Sequence, residues 1–302
     1  MSRNTTSINV DRFASARDLS HSPAVVITGA STGIGKACAL ELDRRGFRVF
    51  AGVRTDAAAE QLRAEASARL TPVLIDVTAA DTIAAAAKKV AEATGDAGLA
   101  GLVNNAGIAV PGPIELVPID DFRRQLEINV VGQVAVTQAF LPLLRKTRGR
   151  VVNMSSISGG VALPSMGAYS ASKFALEAVS DALRLEVRTW GIRVSCVEPG
   201  PITTPIWEKS KAVADHLSEE VDPAALALYE ADLAVIRRAV EHSIRSASPV
   251  ERVVKAVVHA LTSRRPKPHY YLGGQVWMSF NFLRILPGGL RDWIVLKLMG
   301  LR

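Results

Sequence analysis

The chain has 302 residues, nearly half of them apolar and 22% charged, which is enough to fold and bury a sizeable core and excludes a disordered chain. Its formal charge of +7 suggests a nucleic-acid binder, but residues 264–302 hold Arg264, Arg265, Lys267, Arg284, Arg291, Lys297 and Arg302 against Asp292 alone. The excess therefore sits in an apolar tail and no nucleic-acid partner is expected. Cys38 and Cys196 lie in apolar runs, and His21, His216, His242, His259 and His269 show no metal-ligand spacing; no disulfide and no metal site is expected, and the compartment is read as reducing and cytoplasmic.

Residues 1–22 are polar, carry three arginines and lack an apolar centre, and read as a flexible arm rather than a secretory signal. A β-branched run at 24–27 leads into Thr28-Gly29-Ala30-Ser31-Thr32-Gly33-Ile34-Gly35, followed by helical periodicity over 36–45 and Gly46. Strand, glycine turn and helix together offer free backbone N–H groups and a positive helix end to a phosphate. The spacing Gly-x-x-x-Gly-x-Gly departs from the Gly-x-Gly-x-x-Gly fingerprint, so a turn with purely structural duties stays open. A second strand over 48–54 ends at Val53 and Arg54, where a dinucleotide fold places the adenosine ribose. A guanidinium there, with no carboxylate, favours NADP(H) over NAD(H), unless Arg54 is only a solvated loop residue. Helices over 56–68 and 81–93 alternate with strands over 73–77 and 102–107, a β-α-β pattern that predicts a parallel sheet. Asp76 can accept from an adenine amino group or cap the following helix; Asn104 and Asn105 are read as braces at the sheet edge.

A long helix is predicted over 119–145, with Asn129 inside Ile128-Asn129-Val130-Val131. A buried amide left unpaired costs about 1–3 kcal/mol, so a kink around a water is expected. The strand 150–154 delivers Ser155 and Ser156 at its carboxyl end, the side on which open α/β sheets bind ligands. A helix over 167–190 sets Tyr169 and Lys173 one turn apart on one face. An ammonium beside a phenol lowers its pKa from about 10 toward neutrality and suits it to acid/base work, although Tyr-x-x-x-Lys alone is equally a surface pair. The strand 192–197 stops at Glu198-Pro199-Gly200, and the proline-rich loop beyond suits closure over a ligand. One long helical stretch follows over 207–245. Ser248-Pro249-Val250-Glu251 has the form of a capping box for a helix running to Thr262, and 269–272 reads as a last short strand. Over 276–302, Trp277, Phe280, Phe282, Trp293 and several aliphatics alternate with basic residues around Pro287-Gly288-Gly289. Two short amphipathic helices are expected, docked on an anionic bilayer surface or covering the protein's own pocket or a dimer seam.

Taken in order, the turn from Thr28 to Gly35, Asn104-Asn105-Ala106-Gly107, Asn129, Ser156 thirteen residues before Tyr169, Lys173, and Pro199-Gly200 with Thr204 resemble the motifs of the classical short-chain dehydrogenase/reductase family. The match spans roughly residues 24–272. The resemblance implies a single doubly wound Rossmann-type α/β domain over 23–274, with a parallel seven-stranded sheet and helices on both faces. Residues 201–248 would be the substrate loop and lid, and 275–302 an amphipathic basic extension. It implies that Tyr169 is the general acid/base, that Lys173 lowers its pKa and holds the nicotinamide ribose, that Ser156 bonds the substrate oxygen, and that Asn129 supports a water-linked proton path. The implied cofactor residues are Gly29, Ser31, Thr32, Gly33, Ile34, Gly35, Arg54, Asp76, Val77, Asn105, Ala106, Gly107, Pro199, Gly200, Ile202 and Thr204, with Tyr169 and Lys173 shared. The apolar, basic tail is similar to those of retinol and 17β-hydroxysteroid dehydrogenases in this family. That implies hydride transfer between NADP(H) and a lipophilic alcohol or carbonyl of steroid, retinoid or long aliphatic type. Val161, Leu163, Met166, Ile206 and Trp207 are the candidate pocket lining. A homodimer or homotetramer and a peripheral membrane contact through the tail are implied as well. A dinucleotide-binding sensor or membrane-docked interaction protein without catalysis is the competing reading, and the complete tetrad argues against it.

Overall fold

A computed structural model describes residues 22–272, 283 and 285–301. Its strands are β1 (Ala24–Ile27), β2 (Arg48–Val53), β3 (Leu70–Leu74), β4 (Gly101–Asn104), β5 (Arg150–Met154), β6 (Arg193–Pro199) and β7 (His269–Leu272). They form one seven-stranded sheet in the order β3-β2-β1-β4-β5-β6-β7, with every pairing parallel. The helices among the described residues are α1 (Gly33–Arg44), α2 (Asp56–Glu65), α3 (Ala80–Thr94), α4 (Ile119–Leu126), α5 (Gly132–Thr147), α6 (Gly167–Glu186), α7 (Ile206–Glu220), α8 (Pro223–Arg245), α9 (Glu251–Thr262) and α10 (Gly288–Met299). The period of two in each strand feeds two cores. Val25 and Ile27 of β1 join Leu42 of α1, Leu62 of α2 and Val257 of α9, whereas Ala24 and Val26 join Val90 of α3 and Phe140 of α5. Helices on both faces of the parallel sheet make this the doubly wound arrangement that the resemblance implies. The strand order reverses between β1 and β4, and that switch point puts the ligand crevice outside their carboxyl ends.

Several elements differ from their predicted form for local reasons. β3 begins at Leu70 and leaves the ladder after Leu74, so the expected strand over 73–77 lies too late in the chain. It contains Pro72, tolerated because β3 is an edge strand paired only with β2. The expected helix over 207–245 is two helices, because Asp222 accepts from the Ala224 N–H and Pro223 starts a new first turn. The capping box at Ser248 does not form: Val250 precedes α9 with no side-chain cap bond. Ser248 instead pairs with Ile202 in an isolated bridge, its N–H donating to Pro201 O at 2.9 Å and its carbonyl accepting from Thr203 N–H at 3.1 Å. The two ends of the 201–248 segment thus meet at one rung.

α4 and α5 are joined by a π turn (Glu127–Val131) in which the Gly132 N–H reaches back five residues to Glu127 O, where the sequence suggests a water-filled kink. The continuous helix Ile119–Thr147 is long and apolar enough to cross a membrane by length and composition, and its Val136, Phe140 and Leu144 pack on the sheet. Of the two expected tail helices, α10 is present. The stretch expected to hold the other, with Trp277, Phe280 and Phe282, lies outside the described residues, as does the arm over 1–21. Leu283 and Val295 are buried against Val161, while Ile285, Leu290, Trp293 and Leu298 are exposed.

Candidate active site

A cleft of about 2120 Å³ opens at the carboxyl ends of the central strands and is walled on its far side by α7, α8 and the tail. Its floor is the turn after β1. Gly29 and Gly33 have φ of +65° and +57°, the left-handed region in which a side chain is strained. Gly35 is needed for a different reason: a Cβ there would stand 2.3 Å from Gly29 O and 2.4 Å from Asn105 Nδ2. Thr28 Oγ1 accepts from the N–H groups of Asn105 and Ala106, both at 3.0 Å, and Asn105 Nδ2 donates back to Thr28 O at 3.0 Å and Gly29 O at 3.2 Å. Asn105 therefore braces the glycine turn, whereas Asn104 braces the sheet, donating to Thr137 and Asn153 at 2.8 Å each. Thr28 carries as much of this turn as the glycines do; its place at the strand end, just before the first glycine, is the signal that marks it. No side chain caps the first turn of α1, which leaves its positive end open to an anion.

Arg54 is exposed and, with Asp76, lines both the cleft and a smaller adjoining pocket that Arg124 also lines. Asp76 accepts from the Thr78 N–H at 2.9 Å and hydroxyl at 2.7 Å. These bonds, and after them the Arg54 and Arg124 guanidiniums, hold its carboxyl below the usual range. Ala79, not Asp76, precedes α3, so the helix-capping alternative for Asp76 does not form. On the other side of the cleft Gly33 lies against Thr204, whose Cβ would be 3.5 Å from a Cβ at Gly33. The Trp207 indole donates to Ile202 O at 2.8 Å, fixing the first turn of α7. Every predicted cofactor residue lines this cleft except Gly35, which acts beneath it. The glycine cradle, the open helix end and the size of the cleft all fit a dinucleotide.

Ser156, Tyr169 and Lys173 line the same cleft. β5 ends so that Ser156 Oγ accepts from the Ser158 N–H at 3.1 Å, and α6 begins at Gly167 with Tyr169 in its first turn. Burial pushes the Tyr169 phenol above its ordinary pKa, opposed by a hydrogen bond with the Ser156 hydroxyl. The lowering that the sequence suggests from Lys173 does not prevail: its Nζ is 5.6 Å from the ring centroid and donates to Met154 O at 2.8 Å. Burial in turn drives the Lys173 ammonium down to about 8, opposed by the Glu177 charge. Asn129 does not line the cleft. It is fully buried; its Oδ1 accepts from Ile108 N–H at 2.9 Å, and its Nδ2 donates to Ile108 O at 3.0 Å and Ser172 Oγ at 3.1 Å. The Ser172 hydroxyl then donates to Tyr169 O at 2.7 Å, so the π turn fastens the first turn of the helix that carries Tyr169. Leu163, Met166, Ile206 and Trp207 line the cleft as predicted, but Val161 does not: it is consumed by packing against Leu283 and Val295 of the tail.

Residues 23–215 match the family model described as short chain dehydrogenase. The chain belongs to the short chain dehydrogenase family. It is an NAD(P)-dependent oxidoreductase of that family, similar across its length to curated members. It is 40% identical over 279 residues to 17-beta-hydroxysteroid dehydrogenase type 6 of Bos taurus, covering 90% of this chain and 87% of that one. It is 39% identical over 283 residues to retinol dehydrogenase 5 of Homo sapiens, covering 90% and 89%. Among solved structures it resembles a short chain dehydrogenase from Burkholderia cenocepacia in complex with NADP, with a TM-score of 0.69 and 28% identity over 90% of this chain and 97% of that one.

Proposed function

We propose that this short chain dehydrogenase interconverts a lipophilic secondary or primary alcohol and its carbonyl, of steroid, retinoid or long aliphatic type, with NADP(H) preferred over NAD(H). The observation that carries the reading is the Ser156–Tyr169 hydroxyl pair beside the buried Lys173, opening into a cleft whose lining as a whole is mostly apolar. Bound NADP(H) supplies or takes the hydride. Tyr169 exchanges a proton with the substrate oxygen and Ser156 donates a hydrogen bond to that oxygen. Lys173 holds a positive charge near the phenol and would hold the nicotinamide ribose of a bound cofactor. Because burial raises Tyr169 above its ordinary pKa, the phenol carries its proton at neutral pH and is ready to donate it to a carbonyl. Asn129 acts as a positioning residue through Ile108 and Ser172. The names of the bovine hydroxysteroid and human retinol dehydrogenases support a bulky apolar substrate. A coupled screen of steroids, retinoids and aliphatic carbonyls with NADPH and NADH side by side tests the reading; turnover confined to small polar carbonyls would overturn it.

Arg54 is our candidate for reading the 2′-phosphate, supported by its place in the cleft lining. A charge-assisted hydrogen bond contributes about 1.5–3 kcal/mol, so Arg54→Ala is expected to weaken NADP binding by roughly 10- to 100-fold and to leave NAD binding nearly unchanged in titration calorimetry. Equal loss for both cofactors would assign Arg54 elsewhere.

The tail supports a peripheral membrane contact, with cytoplasmic exposure of the rest of the domain. α10 lines the cleft with Val295 and leaves Leu290 and Trp293, which lie outside it, exposed. The double substitution Leu290→Glu and Trp293→Glu spares Val295 and the other cleft-lining residues of α10. It is expected to abolish sedimentation with phosphatidylcholine–phosphatidylserine vesicles while the fold, read by circular dichroism, is retained; undiminished pelleting would remove the tail from that role. Ile119, Val131, Phe174 and Leu185, exposed on α4, the π turn and α6, support assembly as a homodimer or homotetramer through those helices.

A further inference from the structure

The helix that carries Tyr169 and Lys173 continues with Glu177 and Asp181, four residues apart each time, so all four share one side of α6. Glu177 is 5% exposed, and among the described residues neither of its carboxylate oxygens accepts a hydrogen bond of good geometry. A buried carboxylate in that condition needs opposite charge nearby. β7 supplies it from the far end of the chain. Its register sets His269 opposite Cys196 of β6, and there His269 Nδ1 lies 2.8 Å from Glu198 Oε1 and 3.3 Å from Glu177 Oε2, with Nε2 3.4 Å from Asp181 Oδ1. The Tyr271 ring stacks on the imidazole, with centroids 5.7 Å apart. The Glu177 and Glu198 carboxylates raise His269 to about 10, so it is an imidazolium at neutral pH.

Lys173 has the complementary difficulty. It is buried and spends its hydrogen bond on the neutral Met154 carbonyl. The ionisable groups that face it are Tyr169 and Glu177 from its own helix and Cys196 from β6, with His269 of β7 and Glu198 of β6 behind Glu177. The Cys196 thiol is pushed well above its ordinary pKa by burial and stays neutral. The 155–159 segment brings no charge, and Asn129 of the π turn bonds Ser172 rather than Lys173. Glu177 is thus the negative charge available to balance Lys173, and its stem packs where a Cβ on Gly159, three residues after Ser156, would be 3.0 Å from Glu177 Cγ.

We propose that Glu177 is a positioning residue of the hydride-transfer site: its buried carboxylate keeps Lys173 in the ammonium form, and His269, held between Glu198 and Asp181, offsets part of that carboxylate's charge. The inference rests on the acid/base reading of Tyr169 and Lys173 given above. Glu177, Cys196 and His269 also bring three ligand atoms within 4.8 Å of one another. A metal ion would have to displace protons from both the imidazolium and the thiol, so the proton-charged cluster is the arrangement these surroundings favour.

The sign of the effect separates electrostatics from scaffolding. Glu177→Gln removes a negative charge near Lys173 and makes its ammonium easier to deprotonate. His269→Gln removes a positive charge behind it and does the reverse. The test is competitive labelling of the full-length protein with acetic anhydride across pH, reading Lys173 acetylation by mass spectrometry, because only the neutral amine reacts. The midpoint is expected to move down by about one pH unit in Glu177→Gln, to stay close to the parent's in Glu177→Asp, and to move up in His269→Gln. A midpoint unmoved in Glu177→Gln, or shifts of the same sign in both glutamine variants, would overturn the proposal. Should Glu177→Gln fail to fold, His269→Gln decides alone, an unmoved or lowered midpoint being the negative result. This readout needs neither substrate nor Tyr169, so its outcome is independent of whether the acid/base assignment holds.

Discussion

Replacing Tyr169 with phenylalanine is expected to lower turnover by about 10²–10⁴-fold, the usual contribution of a positioned acid or base, while dinucleotide affinity changes little. The substitution removes one oxygen from a first-turn residue whose backbone is held by Ser172 and Asn129. The ring stays, so α6 keeps its packing and Lys173 keeps its bond to Met154 O. What is lost is the hydroxyl paired with Ser156, and with it the proton for the substrate oxygen. The measurement is paired: single-turnover or steady-state rates on the best substrate from the screen, and NADP titration by calorimetry. Turnover within a few-fold of the parent would remove Tyr169 from the chemistry and with it the acid/base reading. Loss of cofactor binding in step with turnover would make the residue structural.

The second large effect is expected at Gly35. In Gly35→Ala the new Cβ would meet Gly29 O and Asn105 Nδ2 at 2.3 and 2.4 Å, far inside van der Waals contact. Neither neighbour can yield cheaply. Asn105 Nδ2 is tied to Thr28 O and Gly29 O, and Thr28 Oγ1 holds the Asn105 and Ala106 backbone in return, so any shift opens the turn that would face the pyrophosphate. Overpacking of this kind costs about 1–3 kcal/mol of stability, at about 2–4 °C of Tm for each kcal/mol in a domain of this class. The larger consequence is for binding. NAD and NADP affinities are expected to fall together, by roughly 10- to 100-fold, because the pyrophosphate is common to both. That distinguishes this variant from Arg54→Ala. Gly289→Ala is the control: a Cβ there meets nothing within 4 Å, so affinity should not change and Tm should not fall, alanine being the better helix former.

The sheet was readable from the chain because its strands are nearly continuous apolar runs ended by glycine, proline or amide residues, and parallel strands buried on both faces require that pattern. Where an edge strand tolerated Pro72 within its ladder, the pattern pointed a few residues too far along. That Ser156, Tyr169 and Lys173 would meet in one cleft was readable because they lie just beyond the carboxyl end of a strand and in the first two turns of the next helix. Their surroundings were not. The π turn at Asn129 answers a tertiary demand, bonding Ile108 and Ser172, and nothing local in Ile128-Asn129-Val130 announces it. Val161 looked like pocket lining because it is apolar and close to Ser156; only the returning tail, which buries Val295 on it, shows where it goes. The Glu177–His269 cluster joins residues 92 positions apart, and only the pairing of β7 beside β6 brings them together.

The rung between Ile202 and Ser248 has a consequence for how such a protein can diversify. Everything between those residues leaves the sheet and returns to it through one doorway, and in α7 and α8 only Leu217 and Ile236 are buried hydrophobics. The segment is therefore a detachable cartridge. Its length and lining can be rewritten at little expense to the sheet, since closing a longer loop adds only about 0.6 kcal/mol for each doubling. Grafting residues 206–245 of a relative with different substrate preference onto this chain, with Ile202 and Thr204 kept, is expected to change selectivity and leave the hydride chemistry where it is.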